Sequence, residues 1–256
     1  MTMEDEALEG CRALVTGGSR NLGAVIAHRL AVNGAQLAVT YHESKDEAHA
    51  LVEQLHSETG KQHVAVCGDL LQAGDARNVV AEAHQRLGGG VDILVNNVGP
   101  WTGAPYADLG EAEWDVGIDG NLKSTYVVTQ AAIPHMREQG WGRVVNVSAG
   151  SAFMLDHSVY ALAKQSLLFL TQQLALELGP EITVNAVVPG QIAESVPEME
   201  ELEPGAASQL LSRTPGGRFV TRGEVADVIG LLCTPAFDMV TGTSIPMDGG
   251  WRLPRS

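Results

Sequence analysis

The sequence predicts an α/β fold: a single doubly wound parallel sheet of about seven strands with helices on both faces. Three observations predict it. Short β-branched apolar runs alternate with longer amphipathic stretches. The runs are apolar on both faces, as expected for strands covered on both sides. The first run leads straight into a glycine-rich loop that opens a helix, the local arrangement that cradles phosphate.

In chain order, residues 13–16 form the first expected strand. The loop Thr16-Gly17-Gly18-Ser19-Arg20-Asn21-Leu22-Gly23 follows it. Gly17 suits the tight turn, Gly23 allows close helix packing, and the helix N-terminus attracts pyrophosphate. Amphipathic stretches over residues 25–33, 48–59 and 76–87 alternate with strand-like runs at 36–40, 63–67 and 93–95. Two further runs lie at 143–147 and 183–188. Such alternation implies right-handed crossovers and a Rossmann-type sheet. No linker or repeat interrupts the chain, so residues 1–256 are expected to form one dinucleotide-binding and catalytic domain. The one shift in composition, rich in Glu, Pro, Gly and Ser, suggests a helical substrate lid at about residues 191–216.

After the second strand, a carboxylate would bind the ribose of NAD, whereas a basic group would favour the 2′-phosphate of NADP. The chain reads Thr40-Tyr41-His42-Glu43-Ser44, and Arg20 lies inside the glycine loop. NADP(H) is therefore the preferred cofactor. NAD(H) stays open, because a one-residue shift would bring Glu43 to the ribose.

Tyr160 and Lys164 lie four residues apart and share a helix face. A phenol titrates near pH ~10, and a nearby ammonium favours the phenolate. The pair is a candidate general acid/base for a carbonyl or an alcohol.

Composition excludes other classes. A net charge of −15 argues against nucleic-acid and anionic-membrane partners, which need basic surface. No apolar run approaches the ~20 residues of a membrane helix. The acidic start, Met-Thr-Met-Glu-Asp-Glu, lacks the basic region of a signal peptide. Cys11, Cys67 and Cys233 are scattered in apolar stretches and read as reduced core thiols of a cytoplasmic protein. The eight histidines form no ligand-spaced cluster, so no metal site is expected.

With the glycine loop and the Tyr160/Lys164 pair in place, the chain resembles the short-chain dehydrogenase/reductase family from about residue 10 to residue 251. Asp69, Asn96-Asn97-Val98-Gly99, Asn121, Pro189-Gly190, Thr241-Gly242 and Asp248-Gly249-Gly250 match its motifs in order. The resemblance implies that Tyr160 protonates the carbonyl as hydride arrives from the nicotinamide. Lys164 tunes Tyr160 and holds the nicotinamide ribose, and Asn121 anchors a relay water. It further implies cofactor contacts from Gly17, Ser19, Arg20, Asn21, Leu22, Gly23, Tyr41, His42, Ser44, Asp69, Leu70, Asn97, Gly99, Pro189, Gly190 and Ile192, with Tyr160 and Lys164.

Three positions depart from the family pattern. Asn21 replaces a glycine, which a positive φ would tolerate. Ala149 stands where the carbonyl-polarising serine is usual, leaving Ser148 as first candidate and Ser151 as alternative. Glu194 falls near the threonine expected to contact the nicotinamide amide, with Ser195 beside it.

The substrate surface is expected from residues 100–106, 152–157 and the lid, where Trp101, Tyr106, Phe153, Met154 and Leu155 favour a hydrophobic or cyclic ketone. The expected function is NAD(P)-dependent interconversion of a ketone and a secondary alcohol. One alternative is 3-oxoacyl-[acyl-carrier-protein] reductase, for which Arg137 would lie on the docking helix but Leu176 stands where arginine is usual. An alternative of another class is a catalytically impaired nucleotide-binding regulator. Apolar helices around residues 126–136 and 166–178 imply a homotetramer or homodimer.

Overall fold

The computed structural model describes residues 7–154 and 158–253. Seven parallel strands form one sheet in the order β3-β2-β1-β4-β5-β6-β7. They are β1 (Arg12–Val15), β2 (Gln36–Tyr41), β3 (Val64–Cys67), β4 (Ile93–Asn96), β5 (Gly142–Val147), β6 (Ile182–Pro189) and β7 (Ser244–Met247). The helices are α1 (Asn21–Val32), α2 (Lys45–Thr59), α3 (Ala73–Arg86), α4 (Glu111–Ile118), α5 (Ser124–Gln139), α6 (Val159–Leu178), α7 (Val196–Leu202), α8 (Ala206–Ser212) and α9 (Arg222–Leu232). The fold class matches the one the sequence predicts.

Side chains along each strand point alternately to two cores. Val15, Val39, Val95, Val145 and Val187 face Ile26 and Leu30 of α1 and Ile229 and Leu232 of α9. Leu14, Ala38, Leu94, Val144 and Val184 face Val79 and Val80 of α3, Val128 and Met136 of α5, and Leu174 and Leu178 of α6. Both faces are thus covered, which is why these strands read as continuous apolar runs.

The structure corrects some boundaries. Helix α1 starts at Asn21 instead of near residue 25, because the glycine loop itself supplies the first turn. Strand β7 is four residues long, partly exposed and contains Pro246, so its sequence signal is faint; proline is tolerated there because β7 is an edge. The core-thiol expectation holds for Cys233 but not for Cys67, which is exposed at the end of β3.

The strand order reverses between β1 and β4. At such a switch point the neighbouring loops part and leave a crevice at the carboxyl ends of the strands. The glycine loop, the segment after β4 and the segment after β5 all open onto this edge.

Candidate active site

Two adjoining depressions occupy the crevice. The first is a groove of about 470 Å³ lined by Gly17, Arg20, Asn21, Leu22, Gly23, Tyr41, His42, Asp69, Leu70, Asn97 and Gly99, among others. Its floor is backbone. Gly17 takes φ 59° and Asn21 φ 50°, so Asn21 occupies the left-handed region that asparagine tolerates best after glycine. A Cβ on Gly23 would lie 2.1 Å from the Gly17 carbonyl oxygen. Asn97 fastens the loop by donating from Nδ2 to the carbonyls of Thr16 (3.0 Å) and Gly17 (3.2 Å).

Arg20 is exposed on the groove wall. His42 Nδ1 lies 3.5 Å from Asp69 Oδ1. Ser19 and Ser44 bond one another at 2.7 Å through their hydroxyls and do not line the groove. Glu43 is likewise absent from its lining. Pro189, Gly190 and Ile192 fall instead on the second depression.

The second depression is a cavity of about 450 Å³, whose walls include Trp101, Ala149, Ser151, Tyr160, Ile192, Leu210, Phe219 and Trp251. The Gly99-Pro100 segment lines the groove and Trp101 the cavity, so the two meet there.

Tyr160 reaches this junction because of how α6 begins. Ser158 caps the helix, its hydroxyl accepting from Ala161 N at 3.1 Å. Tyr160 therefore falls in the first turn and Lys164 one turn later. Lys164 is 2% exposed. Its Nζ donates to the Val147 carbonyl at 2.9 Å and lies 5.5 Å from the Tyr160 ring centre. Burial pushes the phenol up to about 12 and the ammonium down to about 8. The direction for Tyr160 is opposite to the lowering expected from a neighbouring ammonium, and its cause is desolvation of the buried phenolate.

A π-helical turn at Asp119–Lys123 carries Asn121, and such turns often mark functional positions. Asn121 is fully buried and donates from Nδ2 to the carbonyls of Pro100 and Gly117, both at 2.9 Å. Its Oδ1 is buried without a partner among the described residues. A Cβ on Gly99 would lie 2.5 Å from this Oδ1 and 2.6 Å from Lys164 Nζ. The acceptor and the cation thus converge on one point, with bare backbone above them.

The serines separate. Ser148 is 4% exposed and donates to the Lys164 carbonyl at 2.8 Å, tying the end of β5 to α6. It does not line the cavity, which corrects its place as first candidate. Ala149 and Ser151 do line it, and the Ser151 Oγ is buried without a partner among the described residues. A 3₁₀ turn at Gly150–Phe153 brings Ser151 round.

Glu194 turns away from the cavity, its carboxylate accepting from Arg222 N at 3.1 Å at the start of α9. Ser195 remains on the wall. Tyr106 supports α6 by donating to the Ser158 carbonyl at 2.9 Å, and Phe153 is exposed under the Arg252 guanidinium. Leu155 and His157 lie outside the described residues. Sequence reasoning missed Phe219, Val220 and Trp251 as wall residues; Phe219 and Val220 come from a segment with no motif, and Trp251 directly follows Asp248-Gly249-Gly250, whose spacing says nothing of the cavity.

The groove fits a dinucleotide: its glycines leave backbone where a Cβ would collide, and Arg20 and His42 edge its β2 end. No group of side chains suited to a metal ion occurs among the described residues.

A protein-family profile described as Enoyl-(Acyl carrier protein) reductase matches residues 17–252. The chain is 33% identical over 244 residues to 3-oxoacyl-[acyl-carrier-protein] reductase FabG of Staphylococcus aureus, covering 94% of this chain and 98% of that protein. It is 29% identical over 255 residues to D-beta-hydroxybutyrate dehydrogenase of Rhizobium meliloti, covering 93% and 97%. It superposes with a TM-score of 0.86 and 34% identity on a short chain dehydrogenase from Burkholderia cenocepacia solved in complex with NADP, covering 96% and 99%.

Proposed function

The chain belongs to the short-chain dehydrogenase/reductase family, and from that premise we propose that it interconverts a ketone and a secondary alcohol with NADP(H) as preferred cofactor. The observation that carries this is the junction of groove and cavity. Tyr160 lines the cavity there, and Lys164 Nζ and Asn121 Oδ1 converge under the Gly99 backbone.

When bound, the cofactor supplies the hydride to the carbonyl carbon. The chain's own groups handle the proton and the position of the substrate. Tyr160 holds its proton firmly at neutral pH and delivers it to the carbonyl oxygen as the alcohol forms. In the oxidation direction it takes that proton back. Lys164 and Asn121 pass a replacement proton inward through a bridging water. Ser151 donates to the same carbonyl oxygen, and Ser148 keeps α6 in place. The direct test is consumption of NADPH and NADH against a panel of ketones; no consumption of either would overturn the proposal.

The two serines give a sharper prediction. Ser151→Ala should lower kcat by about 100-fold, the usual consequence of losing one preorganised donor. Ser148→Ala should largely retain kcat and lose about 1 kcal/mol of stability. The opposite pattern in steady-state kinetics and thermal melts would reassign the donor.

For the cofactor, Arg20 on the groove wall and the position of Glu43 outside it both support NADP(H). Fluorescence titration should show NADPH binding at least tenfold tighter than NADH, about 1.4 kcal/mol. Tenfold tighter NADH would reverse the preference.

Similarity to FabG favours a second reading, reduction of 3-oxoacyl groups on acyl carrier protein. Arg137, which would serve an acidic carrier, sits 3.8 Å from Glu177 beside an exposed Leu176, so that surface is weakly basic. The regulator reading loses its motive, since the irregular serine segment still places Ser151 on the cavity.

The assembly is proposed to be a homotetramer or homodimer. Tyr126 and Phe169 are 45% and 63% exposed and border an apolar groove with Ile118 and Leu122. Light scattering should report two or four subunits, and Phe169→Glu should shift the mass towards one. No helix among the described residues is long and apolar enough to cross a membrane. The three free thiols support a cytoplasmic setting.

A further inference from the structure

We infer that the substrate is an uncharged carbonyl compound with an apolar or ring-bearing body, and that the cavity rejects carboxylates. This rests on the oxidoreductase proposal above and narrows it to a substrate class.

The cavity walls include Trp101, Ile192, Leu210, Phe219, Val220 and Trp251, with Gln191, Ser195 and Thr214 as neutral polar side chains among them. Among the described residues no cationic side chain lines it. The nearby cations are committed elsewhere. Lys164 is buried behind Tyr160 and donates to the Val147 carbonyl. Arg252 lies 3.6 Å from the Asp248 carboxylate and 5.2 Å from the Phe153 ring centre. Arg222 reaches Ser195 Oγ at 3.4 Å without itself lining the cavity. Arg218 forks onto Glu224.

Among the described residues, the one charged side chain on the wall is an anion. Asp248 is 6% exposed, and its carboxylate accepts from Gly250 N at 2.9 Å and Arg252 N at 3.2 Å. These bonds hold the carboxylate in place. A carboxylate substrate would leave water for a largely apolar wall whose polar side chains are neutral, find no counter-charge among the described residues and lie near the Asp248 carboxylate. Burying an unpaired ion in this way is strongly unfavourable. A neutral ketone loses only the solvation of its carbonyl, which Tyr160 and Ser151 can replace. The Rhizobium relative is named for a hydroxy acid, whose ionised form would find no cationic partner among the described wall residues.

The test uses two matched sets and the unmodified enzyme with NADPH at pH 7.5. One set is methyl 4-acetylbenzoate, 4-acetylbenzamide and 4-acetylbenzoate; the other is ethyl acetoacetate and acetoacetate. The neutral members should show at least 100-fold higher kcat/KM than the acids. The amide matches the acid in size, so it separates charge from bulk. Comparable values, or preference for the acids, would overturn the inference while leaving the oxidoreductase proposal intact. No turnover of any ketone with either cofactor would instead remove the proposal beneath it. Leu210→Arg, which puts a cation on the wall, should narrow the ratio at least tenfold; an unchanged ratio in the folded variant would show that charge is not the cause.

Discussion

Tyr160→Phe is expected to lower kcat for ketone reduction by about 10³-fold, in the range usual for loss of a positioned general acid, while NADPH still binds. The ring stays in the cavity wall and only the hydroxyl is lost, so the fold should be unaffected. Steady-state NADPH consumption gives the first quantity and fluorescence titration the second. Undiminished turnover would end Tyr160's role as proton donor. Lost cofactor binding would instead assign the hydroxyl to holding the nucleotide.

The pH behaviour of the unmodified enzyme follows from the same residue. Burial pushes the phenol up to about 12, so the protonated form dominates at neutral pH. Reduction consumes that form and should not be limited by Tyr160 ionisation between pH 6 and 8. Oxidation needs the phenolate, whose fraction grows tenfold per pH unit below the pKa. Alcohol oxidation should therefore rise as pH increases over this interval, while reduction does not.

Gly23→Ala is expected to have the second largest effect, and on a different property. The new Cβ would stand 2.1 Å from the Gly17 carbonyl oxygen and 2.8 Å from Asn97 Nδ2. The first contact is with backbone and cannot be relieved by rotating a side chain. The loop must move away from α1, which displaces the amides that would face pyrophosphate. Overpacking of this kind costs roughly 1–3 kcal/mol. The melting temperature should fall by several degrees, and NADPH affinity by at least 100-fold. An alanine variant that binds NADPH normally would show that the close approach of α1 to the loop is not what shapes the groove.

Much of the fold was legible because its signals are local. Strands β1, β2, β4, β5 and β6 are continuous apolar runs, since α1 and α9 cover one face and α3, α5 and α6 the other. Strand β7 was faint because an edge strand containing Pro246 carries no such pattern. The site was legible where spacing alone sets the geometry. A helix capped by Ser158 puts Tyr160 and Lys164 one turn apart whatever surrounds it.

What the sequence could not decide depends on which face a side chain meets after folding. Ser148 and Ser151 are equally short polar residues after β5. Only the packing of α6 against that strand shows that Ser148 is spent on the Lys164 carbonyl, and only the 3₁₀ turn brings Ser151 to the cavity. Glu194 falls near the position of an expected cofactor contact, with Ser195 beside it; the approach of α9 draws the Glu194 carboxylate to Arg222 N, and Ser195 stays on the wall. The Tyr160 pKa also depends on burial, a sum over distant segments, whereas spacing reports only the neighbouring ammonium.

The sequence by itself therefore determined the doubly wound sheet, the glycine loop and the Tyr160/Lys164 pair, because periodicity and short-range spacing encode them. Tertiary structure alone decided the serine, the charge of the cavity and its aromatic wall. Trp101, the segment from Leu210 to Phe219, and the pair Asp248 and Trp251 come from three separate parts of the chain, and they acquire a common chemistry only where those parts meet on one cavity.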